Sequence, residues 1–144
     1  MNLDQRERAQ HFLEQFNHCY DGIVRRIQFR FAPAEPFGRA YLTLSVQRPI
    51  NRRIKNGWVN VRLAIREVEE LALRESPQES FRVLSSGLQI GVFNGLLFFD
   101  FAPYSVSPRG LEDFRRSGCF IAGRSFSWSV EEYSDEGHTK SKRV

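Results

Sequence analysis

The sequence predicts a mainly β (α+β) domain: a strongly curved antiparallel sheet, or a sandwich, with one N-terminal helix packed against it. Three observations carry this expectation. Two apolar stretches, 88–93 and 96–101, meet at Asn94-Gly95, and Asn-Gly between alternating apolar residues is the strongest short-range hairpin signal. Period-two alternation of apolar and polar residues recurs over 23–31, 40–47, 58–66 and 125–131. The connections are short, whereas a parallel crossover takes about a dozen residues or more, so neighbouring strands are expected to pair antiparallel.

Each element follows from its own pattern. Over 3–16, Leu3, Arg6, Ala9, Phe12, Leu13 and Phe16 recur at helical spacing, with Arg6 laying its stem on the margin of the apolar stripe. Asn2 or Asp4 supplies the cap, and Asn17 to Gly22 turns the chain. In 23–31 the odd residues Ile23, Arg25, Ile27, Phe29 and Phe31 share one face, and Val24, Arg26, Gln28 and Arg30 the other. The prolines and glycine of 33–38 break regularity. Strand 40–47 turns Ala40, Leu42, Leu44 and Val46 inward, and strand 58–66 does the same with Val59, Val61, Leu63 and Ile65. Residues 67–74 suit either a helix, by their Glu, Leu and Ala content, or a strand continued past a bulge; the strand is preferred. Residues 81–84 form a short strand. In 96–101, Leu97, Phe99 and Phe101 lie on one face and Leu96, Phe98 and Asp100 on the other. Apolar residues on both faces mark a central or helix-covered strand. One helical turn over 111–116 and strands over 119–122 and 125–131 complete the domain, which spans residues 1–133. Residues 134–144 read as a disordered charged tail.

Composition bounds the function classes. The 144 residues carry 41% hydrophobic and 26% charged side chains, which is globular rather than disordered. Thirteen Phe residues supply a core with few side chains. No run is long and uncharged enough for a membrane helix, and the start MNLDQRERAQHF lacks the apolar segment of a signal peptide. The expected location is therefore cytoplasmic, with Cys19 and Cys119 as reduced thiols. The net charge of +4 is mild and compatible with solubility alone. Three basic residues, Lys140, Lys142 and Arg143, lie in the tail.

The best functional signal is arginine placement. If the strands run as assigned, Arg26, Arg30, Arg62 and Arg66 project from outward faces, Arg52 and Arg53 extend the patch from a loop, and Tyr41 and Trp58 lie nearby. Such a face suits an acidic protein; it also suits single-stranded nucleic acid, held by phosphate contact and base stacking. The reading preferred is a non-enzymatic domain that binds a protein partner or self-associates, with nucleic-acid binding and a small hydrolase-like enzyme as alternatives.

The enzyme reading rests on His18, Cys19, Asp21 and Asp100. A Cys beside a His becomes a nucleophile when the two touch, but neighbours on an extended chain point apart. The simpler account has Asp21-Gly22 shaping a turn and Cys19 buried as a small hydrophobe. Asp100, among Phe98, Phe99 and Phe101, is a candidate general acid of raised pKa. It is more simply an acceptor for the turn before Pro103. His11, His18 and the two Cys lack the paired spacing of a zinc site. Gly87, Gly91 and Gly95 lack the context of a phosphate loop. No metal or cofactor is expected.

The segments FNHCYDGIVRRIQF, WVNVRLAIREVEEL and GLQIGVFNGLLFFDF weakly resemble small uncharacterised bacterial β-rich proteins, some grouped with the immunity proteins of polymorphic toxins. The likeness is a pattern of alternation across most of the chain. It implies a domain that works by occupying a protein partner, and it brings no catalytic residues with it.

Overall fold

The structure is a computed structural model that describes residues 4–49, 57–75, 81–103 and 110–131. Arg52, Arg53 and the 134–144 tail lie outside the described residues. The first helix, α1 (Gln5–Gln15), is capped by Asp4, whose carboxylate accepts the Glu7 N–H at 2.8 Å. It leads through a turn at Asn17–Cys19 into β1 (Gly22–Arg30), β2 (Gly38–Gln47), β3 (Trp58–Val68), β4 (Glu70–Leu73) and β5 (Val83–Leu84). Then come β6 (Gln89–Phe93), β7 (Leu96–Asp100), α2 (Leu111–Ser117), β8 (Cys119–Gly123) and β9 (Ser125–Glu131).

The strands make two antiparallel sheets, β5-β1-β2-β3-β9 and β4-β8-β7-β6, which do not close into a barrel. The curvature has a local cause. β3 passes into β4 at Glu67, which takes a φ of 51°, and β8 passes into β9 at Arg124. Each pair therefore crosses from one sheet to the other. The Glu69 N–H donates to the Ala122 carbonyl at 2.9 Å, and the Arg124 N–H to that of Arg66 at 3.0 Å, so the pairing continues around the corner. Residues 67–74 are thus a strand bent through an irregularity, as the sequence reading preferred.

β1 corrects one expectation. The register shifts between Val24 and Arg26, so a bulge at Arg25 reverses the alternation before it. Val24, expected outside, is buried in the core opposite Leu44. The strand also ends at Arg30, and Phe31 is 78% exposed rather than sharing the inner face.

One core joins both sheets to α1. Ala9, Phe12 and Phe16 pack with Leu42, Leu63 and Phe126 of the first sheet and Leu97, Phe99 and Ile121 of the second. The other face of β7 buries Phe98 against Phe114 of α2 and Phe120, so β7 is central and covered on both sides. In the hairpin, Phe93 pairs with Leu96, and Asn94 and Gly95 have φ of 51° and 79°, the two left-handed residues of a type I′ turn. Gly91 is required by packing: a Cβ there would sit 2.5 Å from the Phe114 ring. No helix among the described residues is long and apolar enough to cross a membrane.

Candidate binding surfaces

Register brings the nominated arginines together. Arg26, Thr43, Arg62 and Ser129 form one row across β1, β2, β3 and β9, and Gln28, Tyr41, Ala64 and Ser127 the next. Side chains of adjacent rows on this outer parity share a face, which also carries Arg30, Trp58 and Arg66. Small side chains floor it, and a groove of about 410 Å³ lies between Arg26, Tyr41, Arg62 and Glu131.

The charge on this face is only partly matched. Arg62 lies 3.6 Å from Glu131 and Arg39 is held by Glu35. Among the described residues no carboxylate pairs with Arg26, Arg30 or Arg66. The Arg30 guanidinium lies over the Tyr41 ring, 5.6 Å from its centroid, and covers a face that a base would need for stacking. Trp58 is half-buried. Toward one end the face becomes buried and ordered: Arg25 Nε donates to Ser45 Oγ at 3.0 Å, and Ser45 Oγ to Asn60 Oδ1 at 2.6 Å. Alternation alone predicts Arg25 on the face of Ile27 and Phe29; the bulge turns it to this side. Alternation in the sequence located the row of arginines, whereas the bulge gave no signal of its own.

The enzyme nominees are not brought together. Asn17, His18 and Cys19 have φ of 52°, 53° and 57°, and Asp21 has 59°. This left-handed turn is costly for residues with a Cβ, least so for Asn, Asp and His. It turns His18 outward, whereas Cys19 is fully buried in the core. Burial pushes the Cys19 thiol up to about 12, the reverse of what a nucleophile needs. Native Cys19 is therefore expected to react with a disulfide reagent at pH 8 at least about a thousandfold more slowly than an ordinary thiol. A stopped-flow reading before and after denaturant checks this, and fast native modification of Cys19 would contradict it.

Asp21 is exposed at the turn, where its N–H donates to the Leu84 carbonyl at 2.8 Å. Asp100 is 1% exposed and accepts the Ala102 N–H at 3.0 Å, the role the turn before Pro103 suggested. Neither cysteine forms a disulfide, and both are buried. Among the described residues no group of three or more His, Cys, Asp or Glu side chains is placed to hold a metal ion.

A second concavity was not anticipated from the sequence. A cleft of about 850 Å³ runs between α1, the His18–Tyr20 turn and β6. His18 and Tyr20 stand at its mouth with ring centroids 5.9 Å apart. No family model matches this chain, and no similar curated protein or solved structure was found.

Proposed function

We propose that the chain is a non-enzymatic binding domain that docks an acidic protein on the arginine face of its five-stranded sheet. The observation that carries this reading is the row Arg26–Thr43–Arg62 with Arg30 and Arg66 beside it, a face whose own carboxylates neutralise only part of its charge. Complementary charge gives specificity and a fast approach. A groove floored by Thr43, Ala64, Ser127 and Ser129 admits side-chain carboxylates at close range. A protein partner is favoured over nucleic acid because Tyr41 is covered by Arg30 and because Glu131 puts a negative charge on the groove wall. An immunity-type role, in which the domain occupies another protein's working surface, is one form of this activity. The exposure of His18 beside a fully buried Cys19 supports a domain that does not use this pair as a nucleophile and base.

The test is capture from lysate by the purified chain, with and without nuclease, compared with the variant Arg26→Glu/Arg30→Glu/Arg62→Glu. The expected result is a defined acidic protein that survives nuclease and falls at least about tenfold with the variant, since reversed charges repel the same partner. The substitutions lie on exposed positions, so stability should change little, which circular dichroism and denaturation check. Recovery of RNA or DNA with steep salt dependence would replace this reading with the nucleic-acid one.

A further inference from the structure

We propose that the free edge of β6 is a second, separate recognition site, which takes an extended, acidic peptide segment of a partner protein as an added antiparallel strand. Among the described residues β6 ends its sheet, with β7 on one side and no strand on the other. The type I′ turn fixes which of its backbone groups are free. Phe93 and Leu96 flank the turn as a hydrogen-bonded pair, so Phe93, Gly91 and Gln89 direct their N–H and C=O groups at β7. Leu88, Ile90 and Val92 direct theirs outward.

Two contacts agree with that assignment. The Leu88 N–H donates to the His18 carbonyl at 2.9 Å, and Arg6 Nη2 donates to the Val92 carbonyl at 3.3 Å. The left-handed turn and Arg6 thus occupy the two ends of the edge. The Ile90 N–H and C=O and the Val92 N–H lie between them, with no hydrogen-bond partner among the described residues.

The cleft of about 850 Å³ lies along this edge. It has walls on both sides of the sheet: Ala9 and Leu13 of α1 on the inner side, Phe93 and Phe114 on the outer. Phe114 reaches the strand because Gly91 has no side chain in its way. An added strand sends alternate side chains to opposite faces, so both walls would be used, while the main-chain bonds supply affinity. The charge of the cleft selects the occupant. Arg6 lines it, and among the described residues no carboxylate does. A peptide N–H taking over the Val92 carbonyl would release Arg6 to pair with a carboxylate on the peptide.

The test is selection of phage-displayed random dodecapeptides on the full chain, with the enriched peptides resynthesised and measured by fluorescence anisotropy. The expected peptides alternate apolar residues and carry an Asp or Glu. N-methylation of the amide that faces the Ile90 carbonyl should weaken binding about tenfold or more, and methylation of the next amide, which points away, should cost much less. Arg6→Gln should weaken binding several-fold. Val92→Pro, tolerated at an edge strand because its N–H is not needed for the sheet, should do the same. The methylation scan decides the matter if that variant fails to fold. Arg26→Glu/Arg30→Glu/Arg62→Glu should leave peptide affinity unchanged, which separates this site from the arginine face. No enrichment over a control surface, binding indifferent to N-methylation, or loss of binding with the triple arginine variant would overturn the proposal.

Discussion

Phe12→Ala is expected to destabilise the fold by about 4 kcal/mol, near the top of the range for a single core truncation. Phe12 is fully buried. Its ring meets Trp128 at 5.1 Å, Phe16 at 5.2 Å and Phe126 at 6.2 Å between centroids. The substitution removes the apolar area and leaves a cavity bounded in part by the Phe126 and Trp128 rings, which β9 holds in place, so collapse around it is limited. A further effect is particular to this architecture. An isolated helix as short as the 11 residues of α1 is marginal in water, so the helix depends on Ala9, Phe12 and Phe16 to hold it. Without α1, the inner faces of both sheets lose part of their cover.

Urea denaturation checks the prediction, with a loss of about 4 kcal/mol or a Tm lower by roughly 10–15 °C as the expected reading. Leu13→Ala, at a half-buried position on the same helix, should cost less than half as much. Equal small losses at both positions would mean that α1 is not held through Phe12.

The contrast between Phe12 and Arg25 shows what was legible in the sequence. Phe12, Leu97 and Phe99 follow periods of 3.6 and 2, and those periods are properties of the local chain, so their burial was readable. The arginine row was readable for the same reason: Arg26, Arg30, Arg62 and Arg66 keep strand parity. The bulge at Arg25 was not, because one extra residue in β1 is decided by its pairing with β2 and leaves no mark on composition. Asn60 is a second case. Its parity points it outward, yet it is fully buried, because burial of an outer face depends on what the rest of the chain lays over it. The cleft beside β6 is non-local in the same sense. Arg6 and Val92 are 86 positions apart, and their contact depends on how α1 enters the angle between the sheets.

Asp100 combines a readable environment with an unreadable role. Its phenylalanine neighbours announced an apolar setting, and burial does raise its carboxyl to about 6, opposed by the hydrogen bonds from the Ala102 N–H and the Ser117 hydroxyl. Asp100 lines neither the arginine groove nor the cleft beside β6. The shift therefore bears on stability. The folded pKa lies above the unfolded value of about 3.8, so the folded state holds the proton more tightly. The stabilisation this gives is full below about pH 4, is lost as pH rises through about 6, and is absent at neutral pH. Two pKa units correspond to about 3 kcal/mol.

Asp100→Asn keeps an oxygen for the Ala102 N–H and carries no charge to bury. It should be more stable than the parent by about 2 kcal/mol at pH 7.5, with the advantage gone near pH 4. Urea denaturation of both proteins at the two pH values isolates this group, since the other titrations cancel in the difference. An advantage that is the same at both pH values would show that Asp100 does not titrate differently in the folded and unfolded chain, and a packing change would then explain it better. An advantage that closes toward acid pH would mean that the domain keeps an ionised carboxylate in an apolar place at neutral pH. The Ala102 and Ser117 hydrogen bonds then become the reason it is tolerated: they fix the turn that carries the chain from β7 toward α2, the helix whose Phe114 walls the cleft beside β6.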